Sequence, residues 1–162
     1  MTSSRRASSR ACSDSACQEF SKFNIEYLEP QREHREHRET PSRELSEAII
    51  GCAIRVHSEL GPGLLESAYL SCLAHELTLG GIDFVREKSL PILYRGMALE
   101  GGYRLDLLVA NQVVVELKAI DVLLPVHEAQ VLTYLRLSGC RLGLLINFNV
   151  KMLRDGIRRL IL

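Results

Sequence analysis

The chain has little aromatic content, 6% of its 162 residues, and no excess of either charge, because twenty Lys and Arg balance twenty Asp and Glu. That balance excludes a diffuse basic surface of the kind that holds polyanions without selectivity, so any contact with nucleic acid must be local. Long apolar runs are also missing. Stretches such as Leu142 to Ile146 and Val113 to Val115 fall far short of the roughly 20 residues that cross a bilayer. No apolar segment follows the Ser/Arg-rich start from Met1 to Cys12, so no secretion signal is visible, and Asp14 and Glu19 weaken its faint likeness to a transit peptide.

The five cysteines are an odd, scattered count in a chain large enough to fold without staples, which predicts reduced thiols and a cytoplasmic protein. Cys12, Cys17, His34 and His37 could supply four zinc donors, but sixteen residues separate the two pairs and two separate the histidines. Zinc-finger spacing asks for about twelve and three to five, so a polar tail explains these residues better. A phosphate-cradling loop is absent as well. Gly61-Pro62-Gly63 lacks both the lysine and the preceding strand of such a loop, and reads as a corner.

Residues 1–40 differ in kind from the rest. Ser and Arg dominate first, and Arg32 to Glu39 then repeats a three-residue unit that cannot bury a face. The repeat fits a solvated helix with Glu and Arg three and four apart, or a translated nucleotide repeat ahead of the true start. We expect a disordered or non-native extension over residues 1–40, with Phe20, Phe23 and Tyr27 forming at most a short packing turn.

The folded domain is expected over residues 41–162. Leu45, Ile49, Cys52, Ala53, Val56 and Leu60 follow a 3.6-residue period, with Thr40 as N-cap and Pro41 at the first helical position. Gly61 ends this helix and Pro62 opens a second, which runs to Gly80-Gly81. Extended segments follow at Phe84 to Tyr94, Tyr103 to Val109 and Val113 to Ile120, an antiparallel meander. Pro125 opens a helix that Gly139 closes, Arg141 to Phe148 is a buried strand, and Ile157 to Leu162 is a last strand or helix.

Several polar groups stand where apolar ones would be expected. Glu66 shares a helical stripe with Tyr69, Leu70, Leu73 and Leu77, and an unpaired buried carboxylate costs several kcal/mol. A cation, a metal or a hydrogen-bond donor must meet it, and for Glu66 taken alone a structural ion pair or a helix-to-helix hydrogen bond is a better explanation than a catalytic role. In the meander, Glu116 and Lys118 alternate with Val115 and Leu117. A lone Glu-x-Lys carries almost no weight. Its register carries more: if Ala110, Asn111 and Gln112 form a three-residue loop, Val109 pairs with Val113, Asp106 faces Glu116 and Arg104 faces Lys118. Two facing carboxylates repel unless something positive sits between them, and Mg²⁺ or Mn²⁺ suits hard oxygen donors. A two-residue loop would instead put Asp106 and Glu116 on opposite faces. Gln130 lies on the mostly apolar helix face of Val126, Tyr134 and Leu137, as consistent with satisfying a backbone group as with catalysis. His57, His75 and His127 have no partner at ligand spacing and read as surface or structural residues.

Gly63-Leu64-Leu65-Glu66-Ser67-Ala68-Tyr69 resembles the signature of the GxxExxY family. Tyr103-Arg104-Leu105-Asp106 with Val115-Glu116-Leu117-Lys118 resembles the core of the PD-(D/E)XK nuclease superfamily, in which that family is placed. Val56 to Gly63, Leu124 to Gln130 and Leu145 to Phe148 extend the likeness across residues 45–162. The resemblance implies an α/β fold, a three-layer α-β-α restriction-endonuclease-like core with a small mixed central sheet in the order α-α-β-β-β-α-β. It implies Asp106 and Glu116 as ligands of Mg²⁺ or Mn²⁺, with Glu66 as the helix carboxylate near a second metal position. Lys118 would position water or stabilise charge, and Gln130 with Tyr134 would form the helix motif after the catalytic strand. The implied activity is metal-dependent hydrolysis of nucleic acid, with DNA the expected substrate. The rivals are a non-catalytic nucleic-acid or protein binding module, and a homodimer whose partner completes the cleft.

Overall fold

The computed structural model describes residues 35–162; the expected tail, including Cys12, Cys17, His34, Phe20, Phe23 and Tyr27, lies almost wholly outside them. Helix α1 spans Arg35–Leu60 and α2 spans Glu66–Leu79. Strands β1 (Phe84–Tyr94), β2 (Met97–Val109) and β3 (Val113–Lys118) follow, then α3 (Pro125–Ser138), β4 (Leu142–Asn147), a 3₁₀ turn at Leu153–Gly156, and β5 (Ile157–Ile161). The five strands form one sheet in chain order; β3 and β4 run parallel and all other neighbours antiparallel. The parallel pair is the one joined through a helix, as a crossover requires.

Two apolar cores flank the sheet. Ile49, Cys52, Ala53 and Val56 of α1 and Tyr69, Leu73 and Leu77 of α2 pack on Leu107, Val109, Val113, Val115, Leu117, Leu144 and Ile146. On the other face, Val131, Tyr134 and Leu135 of α3 cover Leu90, Leu105, Leu108, Val114 and Leu145. This is the expected three-layer α/β arrangement. The stripes read on the first two helices are the buried ones except at Leu60, which is exposed at the end of α1; on α3, Val126 and Leu137 are exposed, because that helix turns Val131, Tyr134 and Leu135 to the sheet instead.

Four boundaries depart from the sequence reading. Helix α1 begins at Arg35, so Thr40 is not its N-cap and Pro41 lies within it. Helix α2 begins at Glu66 rather than Pro62, because Gly61 and Gly63 both adopt positive φ, 67° and 102°. Strand β3 ends at Lys118, two residues short of Ile120. Strand β2 starts at Met97, not Tyr103, so β1 and β2 form a long two-stranded arm. Gly102 falls where the register shifts between Leu90 and Ile92. A β-carbon on Gly102 would collide with the Leu90 carbonyl oxygen, so glycine is required there.

The corner between the helices is held by Tyr69. Its hydroxyl donates to the Gly61 carbonyl at 2.6 Å and accepts the Leu64 N–H at 3.1 Å, while its ring stacks on Phe148 at 4.4 Å. The Gly61 N–H closes α1 on the His57 carbonyl at 2.8 Å, and His57 Nε2 lies 2.8 Å from the Val150 carbonyl oxygen. The structural reading of His57 therefore holds. Tyr69→Phe leaves the Leu64 N–H and Gly61 carbonyl without these partners, and should cost about 1–3 kcal/mol of stability. Urea unfolding measures the loss; a midpoint equal to wild type would show that the corner does not depend on the hydroxyl.

Candidate active site

The β2–β3 turn decides which side chains meet. Gln112 N–H returns to the Val109 carbonyl at 2.9 Å across Ala110 and Asn111, whose φ values are both positive, 48° and 54°. Paired positive φ values match the right-handed twist of a hairpin. Val109 pairs with Val113, Leu108 with Val114 and Leu107 with Val115, which is the three-residue-loop register. Glu116 and Lys118 consequently share the side of Val114, facing the α3 layer, while Leu117 enters the two-helix core.

The ladder between these strands stops at Leu107 and Val115. Beyond it, Asp106 uses its side chain in place of the backbone: Oδ2 accepts the Leu117 N–H at 2.8 Å. The strands separate after this point, so Arg104 does not face Lys118; it pairs with Ser89 of β1 and lies 3.3 Å from Glu87. Facing also changes locally within β2. Leu105 belongs to the α3-side core and Leu107 to the other, although residues two apart on a strand ordinarily share a face. Asp106 lies between them, and Glu87 on β1 has φ 50°. A backbone irregularity thus releases Asp106 from the ordinary strand pattern.

Glu116 is 3% exposed, and its Oε1 accepts a hydrogen bond from Lys118 Nζ at 2.6 Å. Its other oxygen, Oε2, is buried with no hydrogen-bond partner. Burial first, and then the Asp106 charge, push the Glu116 carboxyl up to about 7, against the pull of Lys118. Asp106 is also raised by burial, although the Leu117 N–H, the Lys118 charge, a hydrogen bond from Glu116 when that carboxyl is protonated, and the Arg104 charge oppose it. Burial lowers Lys118, but its bond to Glu116 and the charges of Glu116, Glu66 and Asp106 outweigh burial and hold it as an ammonium. One buried cation therefore serves three carboxylates.

Glu66 is half-buried at the first residue of α2, where a negative charge favours the helix dipole. Burial raises its carboxyl, the Lys118 charge lowers it and Asp106 raises it, so the cluster draws on α2 as well as the sheet. Gln130 is not hydrogen-bonded to these acids; its Nε2 donates to the Tyr134 hydroxyl. Tyr134 is the closer participant: burial raises its hydroxyl, the Gln130 bond lowers it, and the Glu116 charge raises it further. Asn147 carried no signal of its own in the sequence beyond its place in a family-like string. It is buried, and its side chain bonds both the N–H and the carbonyl of Ile120, at 3.1 and 2.7 Å, fastening the segment after Lys118 to β4. His127 is structural, its Nδ1 accepting the Leu124 N–H at 2.9 Å.

A model of the PD-(D/E)XK nuclease superfamily matches residues 43–160. The chain belongs to this superfamily. The match covers Glu66, Asp106, Glu116, Lys118, Gln130 and Tyr134, together with both helical layers of the nuclease-superfamily domain. No curated protein and no solved structure matches the chain.

The donor chemistry suits a divalent cation. Asp106, Glu116 and Glu66 supply hard oxygens, and the unpartnered Glu116 Oε2 is a buried acceptor lacking a positive partner. Among the described residues no three His, Cys, Asp or Glu side chains are already gathered closely enough to enclose an ion, so the carboxylates stand near rather than around one point. Without a metal, the folded Glu116 keeps its proton to about pH 7, whereas the unfolded chain releases it near 4.5. The folded state binds more protons between those values, so stability falls as pH rises through that window. Glu116→Gln should flatten the fall of stability with pH across that window. Thermal melts of both proteins in chelator from pH 4.5 to 8 test this, and parallel curves would contradict it.

Proposed function

We propose that the protein is a metal-dependent phosphodiesterase acting on nucleic acid, DNA in the first instance. The observation that carries the reading is the buried Glu116 carboxylate, with one oxygen on Lys118 and the other unpartnered, beside Asp106 in a nuclease-superfamily chain. Asp106 and Glu116 would hold Mg²⁺ or Mn²⁺, with Glu66 reaching the same region from α2. The bound ion would supply Lewis-acid polarisation of the phosphate and favour ionisation of the attacking water.

Lys118 acts in this reading as an ammonium. Nζ is already committed to Glu116 Oε1 and held charged by three carboxylates, so it suits orienting water and offsetting negative charge that develops on phosphate oxygens. The Leu117 N–H fixes Asp106 in one orientation, which reduces the reorganisation needed when substrate arrives. Asn147 holds Ile120 in place behind the site. Free Cys52, Cys72 and Cys140 fit the reducing cytoplasm we assign to the protein. Among the described residues no helix is long and apolar enough to cross a membrane.

The direct Lys118–Glu116 pair also favours a second reading, a binding module in which the charges are structural. Mn²⁺ titration separates the two, because a nuclease site binds the ion through Asp106 and Glu116 and a structural pair does not. On the main reading, plasmid, linear, single-stranded and branched DNA or RNA is cut in Mg²⁺ or Mn²⁺. Asp106→Ala and Lys118→Ala should each lower the cleavage rate at least about a hundredfold while the protein remains folded. Full activity in both variants would refute the assignment.

A further inference from the structure

The β1–β2 arm carries an open cleft at its irregular point. Ser89, Leu90, Pro91, Leu99, Gly102 and Arg104 line a volume of about 520 Å³. Its origin lies in the chain. Pro91 has no N–H to give the ladder, Gly102 lets β2 press on the Leu90 carbonyl, and the register slips between Leu90 and Ile92. The strands there leave a hollow between backbone and side chains. Its walls are apolar at Leu90, Pro91 and Leu99, and its polar groups are the Ser89 hydroxyl and the Arg104 guanidinium.

Arg104 connects this hollow to the site, since it lies two residues before Asp106 on the same strand. Its ion pair with Glu87, at 3.3 Å, is exposed on both sides and therefore weak, so an incoming phosphate can displace it. Tyr103 is adjacent, 41% exposed, and meets Tyr134 edge-on at 5.3 Å between ring centres. Farther out, Arg95 lies over the exposed ring of Tyr94 at 5.5 Å. The arm thus carries exposed aromatic rings at Tyr94 and Tyr103 and guanidinium groups at Arg95 and Arg104.

We infer that the cleft on the β1–β2 arm is a subsite for one unpaired nucleotide of a single-stranded nucleic-acid segment, with the base against Pro91 and Leu99 and the phosphate on Arg104. The inference rests on the nucleic-acid reading above and specifies the form of the substrate. A volume of about 520 Å³ falls in the range of small-ligand sites. A base can enter such a hollow only when it is out of the stack, which costs energy in a duplex and little in a single strand. Aromatic and apolar surfaces beside a few cations are the means by which single strands are held. Twenty basic and twenty acidic side chains leave no net charge to hold a duplex without selectivity.

The test is fluorescence anisotropy of labelled dT20, rU20 and a 20-base-pair duplex with the full chain in EDTA, where no cleavage intervenes. The single strands should bind more tightly than the duplex. Arg104→Ala and Leu99→Glu should each weaken dT20 binding about tenfold or more, while Arg159→Ala, on the opposite edge strand β5, should stay within twofold. Thermal melts confirm that the variants are folded, and both altered side chains are exposed. Binding of dT20 unchanged in both cleft variants, or absent in wild type, overturns the subsite; cleavage by wild type would then leave the nuclease reading standing. Binding that depends on Arg104 and Leu99 in a protein that cuts nothing upholds the subsite and sinks the nuclease reading. Weaker binding of rU20 than dT20 at the same cleft upholds it for DNA.

Discussion

A slip of one residue in the pairing of Val109 with Val113 would turn Glu116 and Lys118 into the two-helix core and Leu117 out of it, because successive strand residues point to opposite faces. Register is therefore the constraint on which both core and site depend. It is fixed twice. The Ala110–Asn111 turn sets it locally, and burial of Val113, Val115 and Leu117 against α1 and α2 sets it globally. The same valines and leucine that hold the sheet in place also determine where the charged residues between them must go.

Placing those charges there has an energetic cost. A carboxylate as buried as Glu116 is tolerated only because Lys118 bonds one of its oxygens, and even so its proton affinity is raised. Three carboxylates around one ammonium do not make a balanced structural network, which would satisfy every member. The surplus negative charge and the unpartnered Oε2 are the features on which the proposed cation site rests. The surroundings are built to hold this arrangement. Asp106 is tied to the Leu117 N–H, Ile120 is clamped by Asn147, and Tyr69 braces the corner from which Glu66 starts α2.

The arm illustrates how a sequence can conceal a regular element. Gly101-Gly102 and Pro91 each weaken a strand when considered singly, so β2 read from the sequence starts at Tyr103. Placed opposite one another they make a bend and a cleft instead of ends. A similar masking affects Asp106. An alternating pattern predicts that it faces Glu116 through an ordinary ladder pair, yet the backbone irregularity opposite Glu87 gives it the Leu117 N–H and separates Arg104 from Lys118.

The sequence by itself determined much of this protein. Helical periodicity in Leu45 to Leu60 and Tyr69 to Leu77, turn chemistry at Gly61 and Gly139, and the apolar strands at Val113 to Val115 and Leu142 to Ile146 identified the order of elements, and the family resemblance supplied the layers. The loop length between Val109 and Val113 was enough to bring Asp106 and Glu116 to the same region. Local propensity and period act over neighbouring residues, and these features are local. What only the tertiary structure decided is long-range: the clamp of Asn147 on Ile120, the support of Tyr69 for Gly61, and the burial that leaves Glu116 Oε2 without a partner. Each depends on how closely separate elements approach after the cores have packed, and no spacing along the chain encodes that distance.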